Sequence, residues 1–484
     1  MTEIITPPLD MSAEDYLKYA DEIARFIADY LSHPEAVSVL PNIAPGSISA
    51  ALPQAPPKRP ESMDAILADF KSILMPGMTH WNNPGFMAYF ANSSPGPGIL
   101  AETLSAALNQ NAMLWRTSPA ATELEETVLK WMAQLLGLNE MTGVITDTAS
   151  ISSLLAMSAA REAIPGLNLR EEGLAGRPEV PRLRIYTSEQ AHSSIEKGAI
   201  ALGIGQRGVR KIGVDTDFRM RPDLLESAIA EDRAAGWLPF CAVATAGTTS
   251  TTSIDPVRAI GEICRREGIW LHVDAAYGGS AAIAPEFHWV LDGCDLADSL
   301  VVNPHKWLFT PMDCSVLFVK SPSTLRRAFS LIPEYLVTHG DATNYMDWGV
   351  QLGRRFRALK LWMVIRYFGQ EGLAALIREH VRLAADFAEW VDSCLEFERT
   401  APAPLSAVCF RAVAEPDASE ERIQHVNQQL MDSLNRTGEI FLSHTKLNGR
   451  YTLRVAIGNI RTTQTHADRL KALLLEHLPE ALRI

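Results

Sequence analysis

Cysteine is sparse in this chain of 484 residues, and no two of the six (Cys241, Cys264, Cys294, Cys314, Cys394, Cys409) form a C-x-x-C pair. That excludes a disulfide framework and a thiolate zinc site, and it points to a reducing, cytoplasmic setting. Basic residues are outnumbered, and the net charge of -13 argues against nucleic acid or an anionic membrane as the main partner. The first residues, Met1 to Pro8, lack the basic start and apolar core of a signal peptide. No apolar run approaches the roughly 18 residues of a membrane span, and there is no internal repeat or low-complexity tail. What remains, 47% hydrophobic and 21% charged, is the composition of a soluble globular protein with room for more than one domain.

Near the start, Tyr16, Tyr19, Ile23, Phe26, Ile27 and Tyr30 recur at helical spacing between Met11 and Leu31, giving one apolar face that needs a partner. The stretch from Pro41 to Pro60, with Pro45, Pro53, Pro56 and Pro57, cannot be regular helix. A helix followed by an extended arm buries little alone, so the expectation is an arm that crosses to a second subunit. Residues 79–90 are an aromatic-rich loop, read equally well as a cavity lining or as a packed core loop. Ser118-Pro119 predicts the start of a helix with Ser118 as N-cap, and Gly137 its end.

From Gly143 onward short apolar strands alternate with helices. Strands are predicted at Gly143 to Thr146, Arg184 to Thr187, Val209 to Val214, Phe240 to Thr245, Ile269 to Val273, Ser299 to Val302 and Ser315 to Val319, which means an α/β fold with a mostly parallel sheet and helices on both faces. Ligands of such sheets bind beyond the carboxyl ends of the strands. Those ends carry Asp147 to Ser153, small and hydroxyl-rich at a helix start; His192; Ala246 to Thr252, rich in threonine; Asp274, followed by residues small enough to admit a flat ligand; and Lys306 in Asn303-Pro304-His305-Lys306-Trp307. Each has a bland explanation: an ordinary N-cap, a structural histidine, a lysine stem lying on apolar surface. Together they match what pyridoxal 5'-phosphate requires, namely an amine for its carbonyl, a carboxylate for its ring nitrogen, an imidazole for its ring face and a phosphate cradle.

In the blocks Met75 to Trp81, Ser118 to Glu125, Gln190 to Ser194, Trp270 to Tyr277, Asn303 to Trp307 and Leu352 to Arg357, the sequence resembles the group II pyridoxal-phosphate decarboxylases of the aromatic-L-amino-acid decarboxylase type, essentially end to end. The resemblance implies a fold-type-I transferase architecture (aspartate aminotransferase-like), a homodimer with active sites at the interface, and a small C-terminal α/β domain. The expected division is 1–95 dimerisation arm, 96–365 cofactor-binding domain and 366–484 small domain. It also implies that Lys306 carries the cofactor, Asp274 partners its ring nitrogen and His192 stacks on it. Ala149, Ser150, Thr249, Ala276, Asn303 and His305 fall where the family contacts the cofactor or lie beside such positions. Tyr335 resembles the tyrosine implicated in protonating the carbon left by CO2, a position that is typically phenylalanine in aldehyde-forming relatives. Trp81, Asn92, Asn111, Met113, Gly353 and Arg354 fall at the substrate pocket.

The chain departs from animal members at Asp147 and Ile151, near the phosphate, and at Asn111 and Met113, near the substrate. The implied activity is decarboxylation of an L-amino acid, aromatic by preference. The alternatives are aldehyde synthesis, a non-aromatic substrate, or a protein that binds the cofactor without catalysis. Lys306, Asp274, His192 and Tyr335 together argue against the last, because a pure binder needs no proton donor.

Overall fold

A computed structural model describes residues 10–331, 342–413 and 418–483; Tyr335 lies outside the described residues. Seven strands, β1 (Thr142–Thr146), β2 (Arg182–Ser188), β3 (Val209–Ile212), β4 (Trp237–Thr245), β5 (Trp270–Asp274), β6 (Ser299–Val302) and β7 (Ser315–Val319), form one sheet in the order β1-β7-β6-β5-β4-β2-β3. β7 runs antiparallel to both of its neighbours, so β1 to β6 all point the same way. Every position of β5, β6 and β7 is buried, as required of strands covered on both faces. β3 stops two residues short of its expected end, because the chain turns at Asp215 and leaves Val214 in an isolated bridge to Met220.

The longer helices are α1 (Ala13–Ser32), α2 (Gly96–Leu108), α3 (Pro119–Leu136), α4 (Ala149–Glu162), α5 (Ser194–Ala201), α6 (Pro222–Ala234), α7 (Val257–Glu267), α8 (Pro322–Phe329), α9 (Ala358–Ser393), α10 (Glu420–Arg436) and α11 (Gln464–Arg483). α2 has no counterpart in the sequence reading, since Gly96-Pro97-Gly98 at its start reads as a turn. Gly98 is there for packing: a Cβ would lie 2.4 Å from Pro311. Ser118 stands at the N-cap of α3, yet its hydroxyl bonds Gln110 and leaves the helix uncapped by a side chain. α9 consists of two helical segments joined across Gly369, whose φ of 64° and ψ of 173° suit only glycine.

A second sheet, in the order β10-β11-β9-β8, is built from β8 (Phe397–Arg399), β9 (Ala407–Ala412), β10 (Ser443–Leu447) and β11 (Arg450–Ala456) and is antiparallel throughout. Asn448 and Gly449 both have positive φ and turn β10 into β11, the conformation an Asn-Gly hairpin turn adopts. With α10, α11 and the end of α9 this sheet encloses a separate apolar core. The aromatic loop joins that core: Phe86, Met87 and Ala88 are buried, and Met87 bonds Phe441 and Ala456 through its backbone. Gly85 permits the approach, as a Cβ there would sit 1.9 Å from the Glu439 carbonyl oxygen. The core-loop reading therefore holds for the middle of this segment.

Candidate active site

Parallel β2, β4, β5 and β6, together with β1, open their carboxyl ends at one edge of the sheet, and all the strand-end groups singled out from the sequence arrive there. Asp274 is the last residue of β5. Its backbone carbonyl accepts from Ala246, its Oδ1 accepts the Ala276 N–H at 3.1 Å, and it is buried. The residues after it admit less than expected. A Cβ at Gly278 would lie 2.5 Å from the Ala246 oxygen and one at Gly279 2.9 Å from the Ala275 Cβ, so both glycines serve close packing of the loops after β4 and β5.

Lys306 lies in the single turn Pro304–Trp307 after β6, where its N–H bonds the Asn303 carbonyl at 2.9 Å. Protein atoms crowd its amine, although part of the residue stays accessible. Burial pulls the amine below its ordinary pKa; the Asp274 carboxylate opposes that and the Arg454 guanidinium adds to it. The result favours an uncharged, nucleophilic amine.

His192 stands just before α5. Its Nδ1 accepts the Ser194 backbone N–H at 3.1 Å, so in the neutral ring the proton is on Nε2. Although the residue as a whole is exposed, partial desolvation of its ring lowers its pKa, while Asp274 raises it and Lys306 lowers it further, which places all three groups within electrostatic reach. His305 is buried, accepts the Cys314 N–H on Nδ1 at 3.0 Å, and is pushed down to about 4, first by burial and then by Lys306. Its Nε2–H faces the amide of Asn303 at 3.4 Å, and an amide oxygen belongs there; whichever way that amide is turned, one of its terminal atoms has no partner in the chain.

At the start of α4 the amides of Ala149 and Ser150 have no acceptor inside the helix. Asp147 accepts the Thr148 N–H at 2.6 Å and the Gln351 amide at 3.4 Å, so this departure from the family occupies one arm of the cradle. Thr249, in the loop after β4, is exposed, as are Ser150 and His192, whereas Ala276 is buried.

The residues expected at the substrate divide. Asn111 accepts the Arg354 N–H at 2.9 Å and lies 3.5 Å from the Met113 sulfur, and the nearest atom to a Cβ at Gly353 is the Asn111 amide at 3.8 Å. These three form one edge with space over the glycine. Arg354 points inward instead: its guanidinium donates to Glu125 at 2.7 Å, to the Ile145 carbonyl at 2.7 Å and to the Ala112 carbonyl at 3.1 Å. Removing one partner of such a buried pair costs about 3–5 kcal/mol, so Arg354 pins this edge to β1. Trp81 stacks on Phe86 at 4.2 Å, and Asn92 reaches the Met312 sulfur at 3.6 Å.

Sequence reasoning missed three features. Phe90, Tyr277 and Trp307 stack in a column, with centroids 3.7 and 4.5 Å apart, beside Lys306, whose amine is 5.4 Å from the Phe90 ring centre. Trp307 Nε1–H donates to His380 Nδ1 at 3.0 Å, and His380 Nε2–H donates to the Asn459 carbonyl at 3.0 Å; burial holds this histidine at about 4 and neutral. Arg454 of β11 is buried at the same place. Tyr277 could have been flagged from its place in the Asp274 block; nothing local distinguishes His380 or Arg454.

The group these residues fit is one with a phosphate, a carbonyl and a ring nitrogen. The chain supplies a helix start, an amine whose protonation burial disfavours and a buried carboxylate in that arrangement, and among the described residues the Thr245 hydroxyl at the end of β4 is buried without a protein partner, as is one terminal atom of the Asn303 amide. Residues 45–413 match the model of the pyridoxal-dependent decarboxylase conserved domain. Phenylacetaldehyde synthase of Arabidopsis thaliana is 40% identical, covering 96% of this chain and 96% of that protein. Tyrosine decarboxylase 2 of the same plant is 41% identical, covering 95% and 86%. The crystal structure of Oryza sativa TDC with PLP and tryptamine superposes with a TM-score of 0.93 at 36% identity, covering 98% of this chain and 100% of that one. This chain therefore belongs to the pyridoxal-dependent decarboxylase family, with pyridoxal phosphate as its cofactor.

Proposed function

We propose that this enzyme decarboxylates aromatic L-amino acids to the corresponding amines and CO2, as a homodimer whose active sites lie at the subunit interface. The observation that carries the site assignment is the convergence of Lys306, Asp274 and His192, each acting electrostatically on another, at one strand-end edge. Aromatic substrates follow from the relatives, whose names specify tyrosine, phenylacetaldehyde and tryptamine.

Pyridoxal phosphate, when bound, supplies a ring that accepts the electron pair left as the carboxyl group departs. Lys306 would hold the cofactor through its amine. Asp274 would keep a proton on the ring nitrogen, and His192 would supply an imidazole for the ring face. The start of α4 and Thr249 would hold the phosphate, while Asn303 and His305 fix the turn that carries Lys306, with Ala276 close by in the chain. Asn111, Met113 and Gly353 shape the substrate end, joined by Trp81 and Asn92, and Arg354 holds that edge in place. The absence of a side chain at Gly353 leaves space there for an indole as well as a phenol, so tryptophan, phenylalanine and tyrosine derivatives are all expected as substrates with none strongly preferred. Screening the proteinogenic amino acids for CO2 release, with the amine identified by mass, tests this; a strong preference for glutamate or aspartate would overturn it.

Aldehyde synthesis is the second reading, favoured by the likeness to phenylacetaldehyde synthase. Tyr335 speaks for the amine, because a phenol can deliver a proton to the substrate's α-carbon before oxygen reaches it. Tyr335→Phe is expected to divert product to aldehyde, ammonia and hydrogen peroxide with oxygen consumed. An unchanged amine yield without oxygen uptake would remove Tyr335 from this role.

The dimer is inferred from α1, none of whose residues is buried in the single chain. With α2 it borders an apolar groove of about 640 Å³ lined by Tyr16, Tyr19, Ile23, Ile27 and Leu100. Each such side chain forgoes roughly 1.5–3 kcal/mol while exposed, a cost that a second copy seated there would remove. Ser150, Thr249 and His192 stay exposed beside a crowded Lys306, as expected of a site closed from outside. In this reading residues 1–95 are the dimerisation arm, 96–365 the cofactor-binding domain and 366–484 the domain that closes over it. The six cysteines are all unpaired thiols, in keeping with a cytoplasmic enzyme. Ile23→Glu with Leu100→Glu should convert the dimer to monomer in sedimentation, with loss of activity; a monomeric, active parent enzyme would sink the proposal.

A further inference from the structure

We infer that Arg454, placed with Lys306 against the one Phe90 ring, is a positioning residue for the Lys306 amine that restricts its aim and works against its protonation. Arg454 belongs to the small sheet and is buried. Its Nε donates to the Ser250 carbonyl at 2.9 Å and its Nη1 to the Tyr89 carbonyl at 2.6 Å, so one guanidinium ties β11 to the loop after β4 and to the segment carrying Phe90. Its Nη2 has no hydrogen-bond acceptor among the described residues. The guanidinium instead lies 4.6 Å from the centre of the Phe90 ring, whose π electrons partly compensate the unpaired donor.

Phe90 thus carries two cations, with Lys306 Nζ at 5.4 Å and Arg454 at 4.6 Å, while Tyr277 stacks on it at 3.7 Å and fixes its plane. Two like charges sharing one ring repel, and only one of them can shed its proton: a guanidinium stays charged in proteins even when burial pulls it down, as it does here. Lys306 yields. Burial is the larger cause of its lowered pKa and Arg454 adds to it, against the Asp274 carboxylate. The other titratable groups that interact with the amine, His192 and His305, are themselves pushed toward neutrality by burial and contribute little charge. Arg454 is then the one permanent cation acting on this amine among the described residues. Because the same side chain holds Tyr89, it also keeps the neighbouring Phe90 on Tyr277 and near the Lys306 amine, restricting the directions in which the amine can point.

The inference rests on the reading of Lys306 as the reactive amine, but its test needs no turnover. The full chain, freed of bound carbonyl compounds with hydroxylamine, is treated with methyl acetimidate, which reacts only with unprotonated amines. Modification of Lys306 is followed by peptide mass across pH 6 to 11. Arg454→Met should move the midpoint to higher pH by about one unit, a roughly tenfold slower reaction near neutrality. Arg454→Lys, which keeps a charge, should retain the parental midpoint. Phe90→Leu removes the ring that balances both cations and should shift the midpoint the other way. Near-ultraviolet circular dichroism identifies the folded variants, and if Arg454→Met does not fold, Arg454→Lys and Phe90→Leu decide the matter. Unchanged midpoints in folded Arg454→Met and Phe90→Leu, or a rise in Phe90→Leu like that of a loosened site, would overturn the inference. Parental shifts with no CO2 release from any amino acid would leave it standing and discard the decarboxylase reading.

Discussion

Lys306→Ala is expected to abolish both the visible absorbance of the bound cofactor and turnover, while leaving a folded dimer. In the proposed reading this amine forms the covalent link to the cofactor's carbonyl, and alanine offers nothing in its place. Stability should survive because the lost group is a destabilising one: its charge is opposed by burial and by Arg454, and only Asp274 favours it. The turn itself depends on the backbone bond from Lys306 to Asn303 and on Trp307, which is anchored to His380, and the substitution touches neither. Absorbance, CO2 release and sedimentation check the three parts separately. Near-normal turnover in a folded variant would show that the amine is not the reactive group.

Asp274→Asn should lower kcat by roughly 10²–10³-fold, the scale of losing one preorganised electrostatic partner of a developing charge. An ionised carboxylate at the ring nitrogen holds a proton there; a neutral amide does not, and the ring then accepts electrons poorly. The structure makes this a clean substitution, since Asn keeps the Oδ1 that accepts the Ala276 N–H and the backbone stays in β5 between β4 and β6. Asp274 is also the charge that favours protonation of His192, His272 and Lys306, so all three should titrate lower in the variant. Nuclear magnetic resonance of the histidine rings reads that shift independently of rate. An effect confined to KM would count against the role.

Much of this was legible in order along the chain. Short apolar runs punctuated by small or hydroxyl residues marked β1 to β7, because a strand buried on both faces has no need of polar side chains, and the group after each run marked the catalytic edge. Ser299 to Val302 and Ser315 to Val319 were read with their observed bounds. Yet nothing in the second run says that β7 runs backwards between β1 and β6, and that reversal is what brings Cys314 to His305 and Ser315 to Ser152. α2 was hidden because Gly96-Pro97-Gly98 signals a turn locally, while its fit against Pro311 is a tertiary matter. Arg354 shows the same limit: its motif suggested a place at the substrate edge, but not the inward turn of its guanidinium to Glu125.

By itself, then, the sequence determined the alternation of elements and the chemical inventory at the strand ends, since periodicity, turn residues and side-chain chemistry are properties of neighbouring positions. Only the tertiary structure decided strand order, the burial that lowers the pKa values of Lys306, His192 and His305, the tautomers of the two histidines, and the presence of Arg454 near the amine. Within β11 that arginine looks like an ordinary surface charge. Its burial is possible only because carbonyls 204 and 365 positions away, on Ser250 and Tyr89, accept its protons, and the energy of a buried charge depends on what surrounds it in space and not on its neighbours in the chain.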